Sequence, residues 1–287
     1  MKIPESELII NSDGSVFHLH MRPDQLADRV VLVGDPGRVA MFTPLLDTIE
    51  HEGSSREFVW ATGTYKGKSF TILSTGIGTD NIDIVMTELD ALANIDFETR
   101  EVLPVHRTLS VLRLGTSGAI QPDVPLGSYI FSHYSVGFDS LMGWYAGRDE
   151  VTDKGMEESF VKHMNWPEAL SAPYFVKASE KLIDLFKDVT VRGMTVSAPG
   201  FYGPQGRCVR QGLAMPDMLE KFESFSFGGL RILNFEMEGS ALAGMALKLG
   251  HEAATLCCAI ANRYLQDANT DYKHFIEKLS VLALERL

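Results

Sequence analysis

Gln205 and Arg207 stand one residue apart in the run Gly200-Phe201-Tyr202-Gly203-Pro204-Gln205-Gly206-Arg207. Alternate side chains of an extended segment point the same way, so this amide and guanidinium are expected to converge on one ligand edge. An amide offers a donor and an acceptor, whereas a guanidinium offers a planar fork of donors. Together they suit a flat heterocycle that carries a ring N–H and two carbonyls. An isolated Gln-x-Arg also fits a solvated surface loop, so its meaning depends on the rest of the chain.

A second constellation is Asn234-Phe235-Glu236-Met237-Glu238-Gly239, read as a strand-to-helix junction. Its two carboxylates could form an acid–base pair, bind a metal or hold sugar hydroxyls. They could equally be an acidic helix N-terminus favoured by the helix dipole. Three glycine-rich stretches follow strand-like runs: Gly34-Asp35-Pro36-Gly37-Arg38, Gly76-Ile77-Gly78 and Arg113-Leu114-Gly115-Thr116-Ser117-Gly118. Read as turns, they would aim backbone N–H groups at an anion, joined by the Thr116 hydroxyl, Arg38 and Arg113. Gly63 to Ser69 imitates a phosphate-binding P-loop, but it is one residue short between its glycines and precedes a strand. Gly76-x-Gly78 lacks the third glycine of a dinucleotide fingerprint, which argues against NAD.

The elements that must position these groups alternate between short apolar runs and amphipathic patterns. Strands are expected at residues 30–33, 58–62, 69–74, 109–114, 192–196, 232–235 and 254–260. Helices are expected at 38–46, 80–93, 177–186, 238–249 and 272–284. Ile82, Val85, Met86, Leu89 and Leu92 share one face of the second helix. This alternation predicts an α/β architecture, a single domain over 1–287 with a largely buried sheet. The polar segments 94–107 and 147–165 read as surface excursions.

Composition narrows the function classes. The 287 residues carry a formal net charge of −12, which opposes a nucleic-acid surface while leaving room for a local pocket of arginines. Cys208, Cys257 and Cys258 form no spaced framework and fit reduced thiols in a cytoplasm. No zinc spacing is present, so no metal is expected. The N-terminus lacks an apolar signal core and no run approaches eighteen apolar residues, so no membrane association is expected.

Taken in order, several segments resemble the nucleoside phosphorylase family, on the side of its uridine phosphorylases. They are Phe17-His18-Leu19, Val33 to Val39, Ser55-Arg56-Glu57-Phe58, Ser74 to Gly78 and Arg113 to Gln121. Phe201 to Arg207, Asn234 to Glu238 and Ala261-Asn262-Arg263 complete the set. The resemblance implies a nucleoside phosphorylase type of fold, a central mixed, twisted, partly barrel-like sheet flanked by helices. It implies phosphorolysis of uridine to uracil and ribose 1-phosphate, without a resident cofactor. It further implies that Gly34, Arg38, Arg113 and Thr116 bind phosphate, with Arg56 supplied by a neighbouring subunit. Met237 and Glu238 would hold ribose, with His18 reaching its 5′-hydroxyl from the neighbour and Phe17 beside it. Phe201, Gln205, Arg207 and Ile260 would form the base pocket. A homo-oligomer is implied, a dimer at least and commonly a hexamer.

The chain departs from the family pattern in places. Gly203-Pro204 inverts a usual Pro-Gly, Gly78-Thr79 replaces a double glycine, and Asn81 stands where relatives that bind potassium beside Glu57 place a serine. Purine-cleaving relatives carry a Ser-Asp where this chain reads Ala261-Asn262, and nucleosidases lack the arginines matching Arg38, Arg56 and Arg113. A purine nucleoside phosphorylase, a nucleosidase and a non-catalytic nucleoside-binding protein are the alternatives on the same fold.

Overall fold

Burial along the first strand of the computed structural model, which describes residues 2–268 and 271–287, shows how the sheet is covered. In β1 (Arg29–Val33), Val30 and Leu32 face one apolar cluster and Val31 and Val33 face another. A strand buried on both faces needs an unbroken apolar run rather than alternation, and this run has one. The remaining longer strands are β2 (Thr48–Ser55), β3 (Phe58–Tyr65), β4 (Lys68–Ser74), β5 (Ser110–Ala119) and β6 (Tyr129–Gly137). They continue with β7 (Tyr174–Lys177), β8 (Val191–Ser197), β9 (Leu230–Glu236) and β10 (Glu252–Asn262).

Along the sheet these strands run β9–β8–β6–β10–β5–β1–β4–β3–β2, with β7 on β6, and β9 also pairs with β5. That last pairing places Asn234 opposite Ala119 and Phe235 opposite Gly118 in antiparallel register. It closes β5, β10, β6, β8 and β9 into a ring, so the sheet is mixed and partly a barrel, as the family resemblance implied. β1 and β4 extend it in parallel, and β3 and β2 finish it as an antiparallel hairpin.

Seven helices cover the sheet among the described residues: α1 (Pro36–Phe42), α2 (Thr79–Asn94), α3 (Lys154–Met164), α4 (Glu180–Phe186), α5 (Met218–Ser224), α6 (Gly239–Leu249) and α7 (Lys273–Arg286). α2 and α6 pack over one face, burying Ile82, Val85, Met86 and Leu89 with Leu242 and Met245. α1, α4 and α7 cover the other through Phe42, Phe186 and Leu279. Each such side chain contributes about 1.5–3 kcal/mol when fully buried. None of the described helices is long and apolar enough to cross a membrane.

Two expectations need correction. The stretch Arg113 to Gly118 is strand, not turn: β5 runs on to Ala119, paired with β10 on one side and with β9 at its end. Glycine is a weak strand former, but ladders on both sides override propensity. Gly115 is required there by close approach, since a Cβ would lie 2.6 Å from Arg113 Nη1 and 3.0 Å from Cys257 Sγ.

The second correction concerns 147–165, which is no mere excursion. It contains α3, capped by Asp153 accepting from Met156 N at 3.0 Å, with Met156, Phe160 and Met164 buried. The i, i+4, i+8 spacing and the Asp N-cap were readable signals. The 94–107 segment holds a short hairpin, Ile95–Asp96 paired with Glu101–Val102. β2, β6, β7 and α5 had no assignment from sequence.

Asn262 locks the end of β10 to the loop that follows β5. Its amide donates to Gln121 O and Val124 O, both at 3.0 Å, and its carbonyl accepts from Tyr264 N and Leu265 N. Asn262→Ala should lower stability by about 1–3 kcal/mol, the loss for buried partners left unsatisfied. Thermal unfolding reads this as a clear drop in Tm, and an unchanged Tm would refute the lock.

Candidate active site

The carboxyl ends of β1, β4, β5, β9 and β10, with the loop after β8, surround a cavity of about 690 Å³. Open α/β sheets place ligands at that edge, because strands end there in loops whose polar groups are free to converge. The lining includes Gly34, Arg38, Arg113, Thr116, Phe201, Gln205, Arg207, Met237, Glu238 and Ile260. Residues as far apart in sequence as Gly34 and Ala261 thus face one space.

Arg113 is nearly buried, and the end of β9 neutralises it. Its Nη2 donates to Glu238 Oε2 in a short contact, and its Nη1 lies 3.2 Å from Glu236 Oε2. Burial alone would weaken the guanidinium's hold on its proton, but Glu238 and Glu236 outweigh it and hold the pKa above the ordinary arginine value. The two carboxylates then divide their tasks. Glu236 Oε2 accepts from Glu238 N (2.9 Å) and Gly239 N (2.8 Å), and its Oε1 takes the Ser197 hydroxyl. It therefore caps the start of α6, and burial, opposed by Arg113 and reinforced by Glu238, raises its pKa. Both carboxylates line the cavity, and Glu238 accepts from Gly78 N at 2.7 Å. The helix N-terminus reading of the Glu-x-Glu pair holds for Glu236.

At one end of the cavity Arg38 Nη2 approaches Thr116 Oγ1 at 3.4 Å. Arg38 is in the first turn of α1, whose N-cap Asp35 accepts from Gly37 N at 2.9 Å. Thr116 projects from β5, which brings the pair together across the β1–β5 edge. A hydroxyl, a half-buried guanidinium and the Gly34 backbone form a donor group suited to an oxyanion. The backbone groups of Gly115 to Gly118 belong to a strand and form no such turn, which corrects the expected third anion loop.

At the other end Gln205 and Arg207 do meet, though by a different geometry from the one expected. Gly203–Gln205 is a 3-10 turn followed by Gly206 at φ +70°, not an extended segment. Arg207 Nη1 donates to Gln205 Oε1 (2.7 Å) and Phe201 O (2.6 Å), and its guanidinium lies 3.8 Å from the Phe201 ring centroid. Burial, with Arg263 nearby, pulls Arg207 down to about 10, leaving it charged at neutral pH. Arg263 had no role from sequence. It donates to Gln205 O at 2.9 Å and supports the turn from behind. Ile260 enters the lining because the β5–β10 register shifts between Ala259 and Ala261.

His18 and Arg56 do not line this cavity. His18 Nδ1 lies 2.6 Å from Glu88 Oε1, and both the His18 and Leu19 amides donate to the same buried carboxylate. Arg56 is exposed at the β2–β3 turn with φ +55°. Beside it, Glu57 lines the cavity and accepts from Asn81 Nδ2 at 3.1 Å.

A sequence model for the phosphorylase superfamily matches residues 28–285. The chain belongs to that superfamily. Among similar proteins, the uridine phosphorylase of Thermococcus kodakarensis is 28% identical over 268 residues, covering 91% of this chain and 83% of its own. The uridine phosphorylase of Haemophilus influenzae is 29% identical over 263 residues, 88% of each chain. The crystal structure of a Trypanosoma brucei nucleoside phosphorylase, described as showing uridine phosphorylase activity, superposes with a TM-score of 0.89 at 28% identity. It covers 98% of this chain and 99% of its own.

Cys257 and Cys258 are fully buried behind the site, and burial pushes their thiols up to about 12 and about 11. Cys208 is exposed just after the Gln205–Arg207 turn. Since the thiolate is the reactive form, an aromatic disulfide reagent near pH 8 should titrate Cys208 alone in the native protein, with the other two appearing on denaturation. Rapid labelling of Cys257 in the native state would contradict this burial.

Proposed function

We propose that this protein is a pentosyltransferase that cleaves uridine with inorganic phosphate, giving uracil and ribose 1-phosphate. The observation that carries the reading is the order of groups along one cavity. An oxyanion-binding group (Arg38, Thr116) and an amide–guanidinium pair (Gln205, Arg207) face a common space with the Glu238 carboxylate. The relatives named above lend support, since they are uridine phosphorylases or described as having that activity.

In this reading phosphate binds against Arg38, Thr116 and the Gly34 backbone, with Arg113 beneath. Ribose packs on Met237 and gives its hydroxyl hydrogens to Glu238. Uracil stacks near Phe201, with its carbonyls and ring N–H on Gln205 and Arg207. The C1′–N1 bond breaks with its electron pair leaving on uracil, and a phosphate oxygen forms the new bond to C1′. Positive charge developing on ribose is stabilised by the dianion held close to it. Negative charge on uracil is met by Arg207, and the departing base takes its proton from water. Phosphate is a co-substrate, and no resident cofactor is part of the proposal. A potassium ion at Glu57 would have to displace the Asn81 donor.

His18 and Arg56 do not line the chain's own cavity, so we propose that a second copy supplies them to ribose and phosphate. The minimal working unit is then a homodimer. Asn262 favours pyrimidine over purine cleavage: its amide is buried and fully occupied by backbone partners, leaving no proton donor for a purine ring.

Uracil release from uridine should require inorganic phosphate and should far exceed hypoxanthine release from inosine. Removing a donor aimed at developing charge lowers turnover roughly 100- to 1000-fold, and that scale is expected for Arg207→Ala. Release of uracil without phosphate would indicate a nucleosidase. Wild-type turnover in Arg207→Ala would sink the base site.

A further inference from the structure

Gly78 meets Glu238 across 160 residues of sequence through a single backbone hydrogen bond, Gly78 N to Glu238 Oε1 at 2.7 Å. The carboxylate is thereby clamped from two elements at once, by the amide at the head of α2 and, on Oε2, by the Arg113 guanidinium from β5. Glu238 is almost wholly buried, so these two donors, with a longer contact from Met237 N at 3.3 Å, decide its orientation. A carboxylate has about four acceptor positions. Oε1 has one donor from the protein and keeps capacity for a ligand hydroxyl.

The amide reaches Glu238 because of its backbone. Gly78 sits at φ +102°, a region that L side chains rarely adopt, and a Cβ would lie 2.6 Å from Asp80 Oδ1. The strap leading to it is held from the other side. Gly76, at φ +69°, leaves a Cβ only 2.5 Å from Asn81 Nδ2 and 2.9 Å from Glu57 Cγ, and those two side chains hydrogen-bond to each other. The Gly76–Gly78 strap is thus seated between the Glu57–Asn81 pair and Glu238.

We propose that the Gly78 amide is a positioning group that fixes Glu238 Oε1 toward the sugar and so sets discrimination between ribose and 2′-deoxyribose. The inference rests on the uridine reading of the same site and adds a residue and a specificity to it. A rigidly aimed acceptor rewards a hydroxyl that is present and is left unpaired when it is missing, whereas a loosely held carboxylate adapts to either sugar. Arg113 would still hold Glu238 in place without the amide, so the variant should lose selectivity more than turnover.

Two measurements test this. In Gly78→Ala, kcat/KM for uridine should fall about tenfold while that for 2′-deoxyuridine changes by about twofold or less, compressing their ratio. Equal losses on both sugars, or an unchanged ratio, would overturn the proposal. The second uses hydrogen exchange of residues 76–80, which reads the clamp without turnover. The Gly78 amide should be protected in the wild type, stay protected with phosphate and uridine bound, and exchange faster in Glu238→Ala. Loss of protection on ligand binding would make the strap a gate rather than a clamp and would also overturn it. Failure of the wild type to cleave uridine would instead remove the underlying functional reading, while the exchange result would still report on the clamp.

Discussion

Arg113 carries a full positive charge on the floor of the cavity, where it is only 5% exposed and poorly solvated. An unpaired charge in such a place is strongly destabilising, and removing one partner of a buried pair costs several kcal/mol. The charge is met by Glu236 and Glu238 at the end of β9, a strand that reaches β5 only because the sheet curls on itself. Ring closure and charge neutralisation therefore depend on each other. The glycine at 115 belongs to the same constraint, since any side chain there would occupy the guanidinium's space.

From that pairing the rest of the site follows. Glu236 uses its remaining capacity to cap α6, which sets where the helix begins and hence where Glu238 stands. Glu238 bridges Arg113 to the head of α2, tying β5, β9 and the strap after β4 into one rigid floor. The anion end is added from α1 and β5 through Arg38 and Thr116. Floor and anion end lie on regular elements, where backbone ladders hold side-chain positions tightly.

The base end is built differently. Gln205 and Arg207 sit on an irregular loop held by a 3-10 turn, a left-handed glycine and hydrogen bonds from Arg263. Arg207 spends its donors on Gln205 and the Phe201 carbonyl, and its guanidinium rests on the Phe201 ring. In the proposed reaction these are the bonds that uracil would replace. The base of the proposed reaction thus meets an irregular loop, whereas sugar and phosphate meet the barrel rim.

Much of this was readable from residues alone. Apolar runs and amphipathic periods located most strands and helices, because a buried sheet strand and a helix face leave different spacings in a sequence. Arg38, Arg113, Thr116, Gln205, Arg207 and Glu238 stood out because their chemistry is unusual beside glycine turns, and the structure brings all six to one cavity. β2 was not legible, being polar on its exposed side, whereas α3 left a readable Asp153 cap and Met156–Phe160–Met164 spacing that its charged neighbours obscured. Gly115 to Gly118 misled, because glycine signals a turn locally and only partner strands on both sides make it a ladder. Sequence determined which groups are available and which element types carry them. The closure of β9 onto β5, the split roles of Glu236 and Glu238, the 3-10 path of the base loop and the Gly78 clamp were decided by tertiary structure alone. Each of these is a contact between segments far apart in the chain, and its energy comes from burying charge and pairing donors that no local pattern records.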